Sequence, residues 1–349
     1  MYDIILSFIT AFILTYFAIP SIINIANVKA LVDEPGERRS HDQKTPSLGG
    51  IAIFAGVIFS IILWTPFNVF GDLQYILCSF IIIFLIGAKD DILPMAPWKK
   101  LVGGALAAVI LVYKSNVTFS SLYGIFGIYE IPEIVSIPLT VFTILVIMNA
   151  FNLLDGIDGL AGSISVLIAI FFGSWFYLNA RIELAILAFS TCGSTIAFLK
   201  YNFTPARIFM GDTGSLFIGL VSAILFIKFI EIHREVAESQ YAFQAVPAVA
   251  IGILILPLFD TFRVFLLRIL KGRSPMIPDR IHIHHLLIDL GMSHLQATGI
   301  LATVNLLFII TVIKFQSLGS LYLLILIGAI AFLFYLILYS LVHLRKSKL

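Results

Sequence analysis

Charge is what this sequence has least of. Only 12% of its 349 residues are Asp, Glu, Lys or Arg and 60% are apolar, whereas globular domains carry about 25% charged residues. A mean hydropathy of +1.05, with apolar runs near the ~20 residues needed to cross a bilayer, excludes a soluble enzyme and a disordered tail. Cysteine is nearly missing. Cys78 and Cys192 both sit in apolar runs, which excludes a disulfide framework and a paired-cysteine zinc motif. With a net charge of +2 and no long Lys/Arg run, no nucleic-acid partner is indicated. The N-terminal stretch reads as a first span rather than a cleaved secretory signal: Asp3 stands where a basic flank belongs, and the apolar run from Ile4 to Ala26 is too long for one.

What is present is a series of apolar segments at 4–26, 48–67, 73–88, 100–114, 134–151, 159–177, 183–200, 213–232, 246–268, 296–314 and 319–341. The expectation is therefore an all-α polytopic membrane protein of about eleven transmembrane helices, one integral-membrane domain over 1–349. With the N-terminus outside, 17 of the 22 basic residues fall on the cytoplasmic side, against Lys114, Arg181, Lys228, Arg234 and Lys314 on the other. The C-terminus is then cytoplasmic, as are the loops 27–47, 89–99, 152–158, 201–212 and 269–295. Residues 116–133, with Gly124 and Gly127 among alternating apolar residues, predict a small external β-hairpin.

Nearly all the reactive side chains gather on that one face. Ionisable groups at membrane depth are costly, so they tend to be paired and functional; the plain alternative is a set of solvated loop residues. Asp90 and Asp91 are adjacent carboxylates at the C-terminal end of an apolar helix, where each repels the other and both oppose the helix dipole. A hard cation such as Mg²⁺ would relieve them. In Asn149-Ala-Phe-Asn152-Leu-Leu-Asp155-Gly-Ile-Asp158-Gly the three-residue recurrence places Asn149, Asn152 and Asp155 on one helix face. Turn formation explains Asp155-Gly156 but not that recurrence. Phe209-Met-Gly-Asp212-Thr-Gly-Ser opens another helix: Asp212 is either a simple N-cap or a metal ligand beside backbone N–H groups suited to phosphate. Arg280-Ile-His282-Ile-His284-His285 lacks the cysteines of a structural zinc site. With Arg263, Arg268, Lys271 and Arg273 near, it reads as a receiver of anionic phosphate. His233, His294 and His343 lack such company and read as ordinary histidines.

Together, Asp33 to His41 with Lys44 to Gly50, Asp90-Asp91, Asn149 to Gly159, Phe209 to Leu216, and Asp260 through His285 resemble the polyprenyl-phosphate N-acetylhexosamine 1-phosphate transferases, the WecA-, TagO- and MraY-type enzymes. The segments occur in the family's order, and eleven spans resemble the WecA type. The resemblance implies Asp212 as principal Mg²⁺ ligand with Asn152 as a second, Mn²⁺ being an alternative metal. It implies a uridine pocket at Asp155, Asp158 and Phe209, a base at Asp90 with Asp91 beside it, and phosphate or sugar contacts at Lys44, Lys100, Arg280, His282 and His285. His284 and Arg263 complete the expected substrate-binding set.

The implied reaction is attack by a lipid phosphate oxygen on the β-phosphorus of a UDP-N-acetylhexosamine, giving a polyprenyl-diphosphate sugar and UMP, the first step of a cell-surface glycan such as cell-wall polymer, lipopolysaccharide or O-antigen. The loop Gly272 to Arg280 is similar to the N-acetylglucosamine branch rather than the phospho-MurNAc-pentapeptide enzymes. The implied location is the inner (plasma) membrane, and a homodimer is the assembly to test. A prenyltransferase would want a second Asp-rich motif, and a CDP-alcohol phosphotransferase an Arg where Gly162 stands. A cation-coupled transporter would want a midplane site between related halves, and no internal repeat is visible.

Overall fold

In hydrocarbon every backbone N–H and C=O must find a partner within the chain, so apolar segments of this length close into helices. A computed structural model of the protein describes residues 1–33, 45–69, 71, 73–272 and 281–347. The helices are α1 (Tyr2–Val28), α2 (Gly49–Trp64), α3 (Leu73–Ile92), α4 (Pro97–Lys114), α5 (Glu133–Leu154), α6 (Leu160–Leu178), α7 (Ile182–Asn202) and α8 (Gly211–Ile232). They continue with α9 (Val246–Ile253), α10 (Ile255–Leu270), α11 (Ile283–Asp289), α12 (His294–Lys314) and α13 (Ser320–Lys346). The chain is a multi-pass membrane protein. Each expected segment contains a helix, but among the described residues seven are long and apolar enough to span alone. An eighth span would be α9 and α10 taken together.

That pair departs from the straight span expected at 246–268, for the two helices meet at an 82° bend around Leu254. Beyond the bend α10 buries Asp260, Arg263 and Arg268 and exposes Phe262, Ile269 and Leu270. Hydropathy alone joins an apolar run and a polar-faced run. The short helix α11 was also not anticipated inside the expected loop 269–295.

The bundle is layered around α8, whose residues are almost all buried, while α1 and α13 lie at the periphery with broad exposed apolar faces. Helices in lipid associate through close packing of small residues. Accordingly α1 turns Ser7, Ala11 and Thr15 inward, and Thr15 Oγ1 meets Ser194 Oγ of α7 at 2.5 Å and Ala52 O of α2 at 3.2 Å. The hairpin forms as expected from β3 (Ser121–Ile125) and β4 (Ile128–Glu130), antiparallel. Two more short strands, β1 (Val32–Asp33) and β2 (Thr45–Pro46), pair Val32 with Pro46 and Asp33 with Thr45. Lys44 and Arg280 lie outside the described residues.

Candidate active site

The N-terminal turn of α8 is where distant segments converge. Gly49 N–H donates to Phe209 O at 2.9 Å, Gly50 N–H to Met210 O at 2.8 Å, and Phe209 N–H to Pro46 O at 2.7 Å, a ladder that fastens the start of α2 to the start of α8. The approach requires glycine: a Cβ on Gly50 would lie 2.1 Å from Gly214 N. Gly211 is held at φ +70°, and a Cβ there would meet Ser47 O at 2.1 Å and the Asp91 carboxylate at 2.7 Å.

Onto this turn α3 delivers its last two carboxylates, and they take different partners. Asp91 accepts from Asp212 N–H (2.7 Å), Thr213 N–H (3.0 Å) and Thr213 Oγ1 (2.5 Å). It is the cap of α8, supplied by another helix, so the capping role considered for Asp212 belongs to Asp91. The unfavourable dipole at the end of α3 is offset by the favourable one at the start of α8. Asp90 instead accepts from Met95 N–H at 2.7 Å through Oδ1 and meets Lys100 Nζ at 2.7 Å through Oδ2.

Freed from capping, Asp212 presents its carboxylate sideways. Lys100 Nζ, from the first turn of α4, lies 2.5 Å from Oδ2, and Asn152 Nδ2, from the last turn of α5, donates to Oδ1 at 3.0 Å and to Ser215 Oγ at 3.0 Å. One ammonium thus bridges Asp90 and Asp212. Asp155, just past α5, faces Asp212, Asp91 and Asp158. Burial, with those three carboxylates, pushes its carboxyl up to about 8. Among the described residues no group of three or more His, Cys, Asp or Glu is arranged to enclose a metal ion.

Asp158 is buried and takes its partners from other segments. Its Oδ1 meets His294 Nδ1 at 3.2 Å, its Oδ2 accepts from Ala206 N–H at 3.3 Å, and its backbone carbonyl accepts from Thr298 Oγ1 at 2.7 Å. It thereby links the turn after α5 to α12 and to the segment before α8. Asn202 works beside it, accepting from Gly159 N–H and donating to Ile208 O. Neither His294 nor Asn202 stood out in the sequence, because both partnerships cross long stretches of chain. Phe209 is half-buried with its backbone pinned in the ladder above.

The histidine segment approaches from another side. His282, His284 and His285 form a compact ring group with centroids 4.2–6.2 Å apart. His284 is buried with Nε2 against Gly156, where a Cβ would come within 2.3 Å, and burial lowers its basicity. His282 Nδ1 contacts Asp260 at 2.8 Å, and Arg263 is an inward-facing residue paired to the same Asp260 at 2.7 Å.

The chemistry of this array is that of an anion-transfer site: oxygen donors, an ammonium and imidazoles at one end of a membrane bundle. The glycosyl transferase family 4 model matches residues 73–230, from the start of α3 to near the end of α8. A probable undecaprenyl-phosphate N-acetylglucosaminyl 1-phosphate transferase of Bacillus subtilis (strain 168) is 31% identical over 318 residues, 91% of this chain and 86% of the relative. The chain belongs to glycosyl transferase family 4. An undecaprenyl-phosphate alpha-N-acetylglucosaminyl 1-phosphate transferase of Haemophilus influenzae is 30% identical over 85% of this chain and 81% of its own length. A decaprenyl-phosphate N-acetylglucosaminephosphotransferase of Mycolicibacterium smegmatis is 30% identical over 83% and 76%. Within this family 4 member, Asp90, Asp91, Lys100, Asn152, Asp155 and Asp212 meet around the start of α8, with the histidines at the start of α11 and His282 tied back to Asp260 of α10.

Proposed function

We propose that this protein transfers N-acetylglucosamine 1-phosphate from UDP-N-acetylglucosamine to a polyprenyl phosphate at the cytoplasmic face of the inner (plasma) membrane. An oxygen of the lipid phosphate forms a bond to the β-phosphorus, the bond from that phosphorus to the bridging oxygen breaks, and UMP leaves with the electron pair. The observation that carries the reading is the Asp90–Lys100–Asp212–Asn152 chain of contacts at the end of a membrane bundle, supported by the names and coverage of the relatives. A lipid phosphate and a water-soluble nucleotide can meet only at such an interface.

Two anions must be brought together, so cations dominate the energetics. Lys100, already between two carboxylates, is placed to screen charge on the diphosphate as the bond to UMP breaks. Mg²⁺ commonly takes one or two carboxylates together with substrate phosphates rather than a protein cage. Asp212 and the side-chain oxygen of Asn152 fit that donor set and would hold it; Mn²⁺ suits the same ligands. Bound there, the metal would supply charge neutralisation on the phosphates. Asp155, Asp158 and Phe209 are assigned to the uridine side. A phosphate monoester is mostly dianionic at pH 7, its second pKa being about 6, which leaves Asp90 little proton to remove. Its fixed contacts to Met95 and Lys100 support an orienting role instead.

The test is release of labelled UMP from UDP-N-acetylglucosamine by purified protein, with UDP-N-acetylgalactosamine and UDP-MurNAc-pentapeptide as competitors and undecaprenyl or decaprenyl phosphate as acceptor. Release that needs both the lipid and Mg²⁺ is expected. Nucleotide-sugar flux without UMP release would overturn the reading in favour of transport.

A further inference from the structure

We propose that Asp260 is a positioning residue of the transfer site, acting through His282 by dictating which ring nitrogen of that histidine faces the substrates. The proposal rests on the transferase reading for its consequence, but its geometry stands apart from it. Asp260 and His282 are 5% and 4% exposed, and the ring meets the carboxylate through Nδ1 at 2.8 Å. A carboxylate only accepts, so Nδ1 carries the hydrogen and Nε2, at the opposite edge of the ring, is left to accept from a substrate hydroxyl or, once protonated, to donate to a phosphate oxygen.

The same carboxylate controls the backbone on either side of His282. Asp260 Oδ1 accepts from Ile283 N–H at 3.0 Å, the first residue of α11, and from Arg263 Nη2 at 2.7 Å. Arg263 Nη2 in turn donates to Ile281 O at 2.5 Å. Residues 281, 282 and 283 are therefore each tied to one Asp–Arg pair, which is backed by the Tyr335 ring 4.4 Å from the Arg263 guanidinium. The plane of the His282 ring is set as well, by parallel stacking on His284 at 5.6 Å and 5°. A pair needed only for folding would be satisfied by Arg263 and the Ile283 amide. The third bond, to the imidazole, is what gives the histidine a direction.

Partners that orient a functional histidine from behind are worth about 10–100-fold in activity or ligand affinity at metal sites, and the same scale is expected here. In the full-length protein, Asp260→Asn should lower kcat by about 10–100-fold with KM for UDP-N-acetylglucosamine little changed. In a His282→Gln background the same change should cost less than about threefold, because the residue it acts through is gone. Losses that multiply in the double variant would overturn the proposal. Independently of activity, ¹⁵N-histidine spectra of the unsubstituted protein, with His282 assigned by its disappearance in His282→Gln, should show Nδ1 protonated and hydrogen-bonded. An Nε2–H neutral tautomer would overturn the proposal even if Asp260→Asn fails to fold. If the unsubstituted protein shows no transfer at all, the transferase reading fails while the spectra still decide the dyad.

Discussion

The two ends of α8 carry similar side chains and treat them differently. At the far end Glu231 accepts from Ser120 N–H and Oγ, Arg234 lies near Glu231 and Glu130, Lys228 donates to the carbonyls of Ser115 and Asn116, and Tyr123 donates to Ile230 O. Lys228 and Arg234 both have partners within the protein, and the hairpin is locked onto the helix. His233 completes that end as a neutral ring stacked on Trp175 at 4.2 Å, burial bringing its basicity down to about 4. At the near end four carboxylates, Asp90, Asp91, Asp155 and Asp212, gather, with the Lys100 ammonium held between Asp90 and Asp212. A balanced network holds a fold together. An unbalanced one, kept at a cost in stability, belongs to a site awaiting other charges.

The largest expected effect sharpens that contrast. Asp212→Asn should remove turnover by about 10²–10³-fold or more while the protein stays folded, since Asp91 rather than Asp212 caps the helix. Glu231→Gln at the other end should lower the melting temperature by a few degrees and leave turnover alone. Equal loss of activity from both would erase the distinction. Lys100→Ala should lower kcat by about 10²-fold, and Lys228→Ala should not; steady-state rates of the two variants in detergent check this.

Asp91→Ala should lower both stability and kcat, because it takes the acceptor from three donors at the start of α8, each bond to a charged group being worth about 1.5–3 kcal/mol. Asp91→Asn should recover part of both, as an amide oxygen still accepts. Full activity in Asp91→Ala would show the cap to be dispensable. For Phe209→Ala the loss should appear in KM for the UDP-sugar, by the equivalent of about 1–3 kcal/mol of lost base stacking, with kcat little altered. An unchanged KM sinks the uridine assignment.

The smallest effect is one of pH. Asp155 holds its proton up to about pH 8 in the folded protein, whereas an unfolded Asp releases it near about 3.9. Between those values the folded state binds more protons, so stability falls as pH rises, and the contribution is lost once pH passes the folded value. Without added divalent cation, the melting temperature should decline from pH 5 to pH 8, and Asp155→Asn should flatten that decline.

Much of this was legible in the sequence because it is local or periodic. Apolar runs located helices in every expected segment, alternation located the hairpin, and carboxylates at helix ends pointed to one face. Asn152 and Asp212 were found because polar residues stand out in apolar helices. What could not be seen were duties fixed by a partner far along the chain. Adjacent Asp90 and Asp91 look alike in sequence, and only the arrival of α8 makes Asp91 a cap, while Asp90 turns to Lys100 at the start of α4. Asp158 to His294 and Asp260 to His282 are likewise contacts with no local period, and the bend at Leu254 leaves apolar residues on both sides. Lys44 and Arg280 lie outside the described residues.

The cap supplied by Asp91 bears on how the protein is made. Its first donor on α8 lies 121 residues further along the chain, so during synthesis α3 enters the bilayer long before the groups that will take up the Asp91 carboxylate. Through that interval only water and lipid headgroups can solvate Asp91, whereas Asp90 meets Met95 and Lys100 a short way along the chain. The place of both carboxylates on the last turn of α3, rather than at its middle, keeps the nascent helix insertable and leaves the site to be assembled when α8 docks.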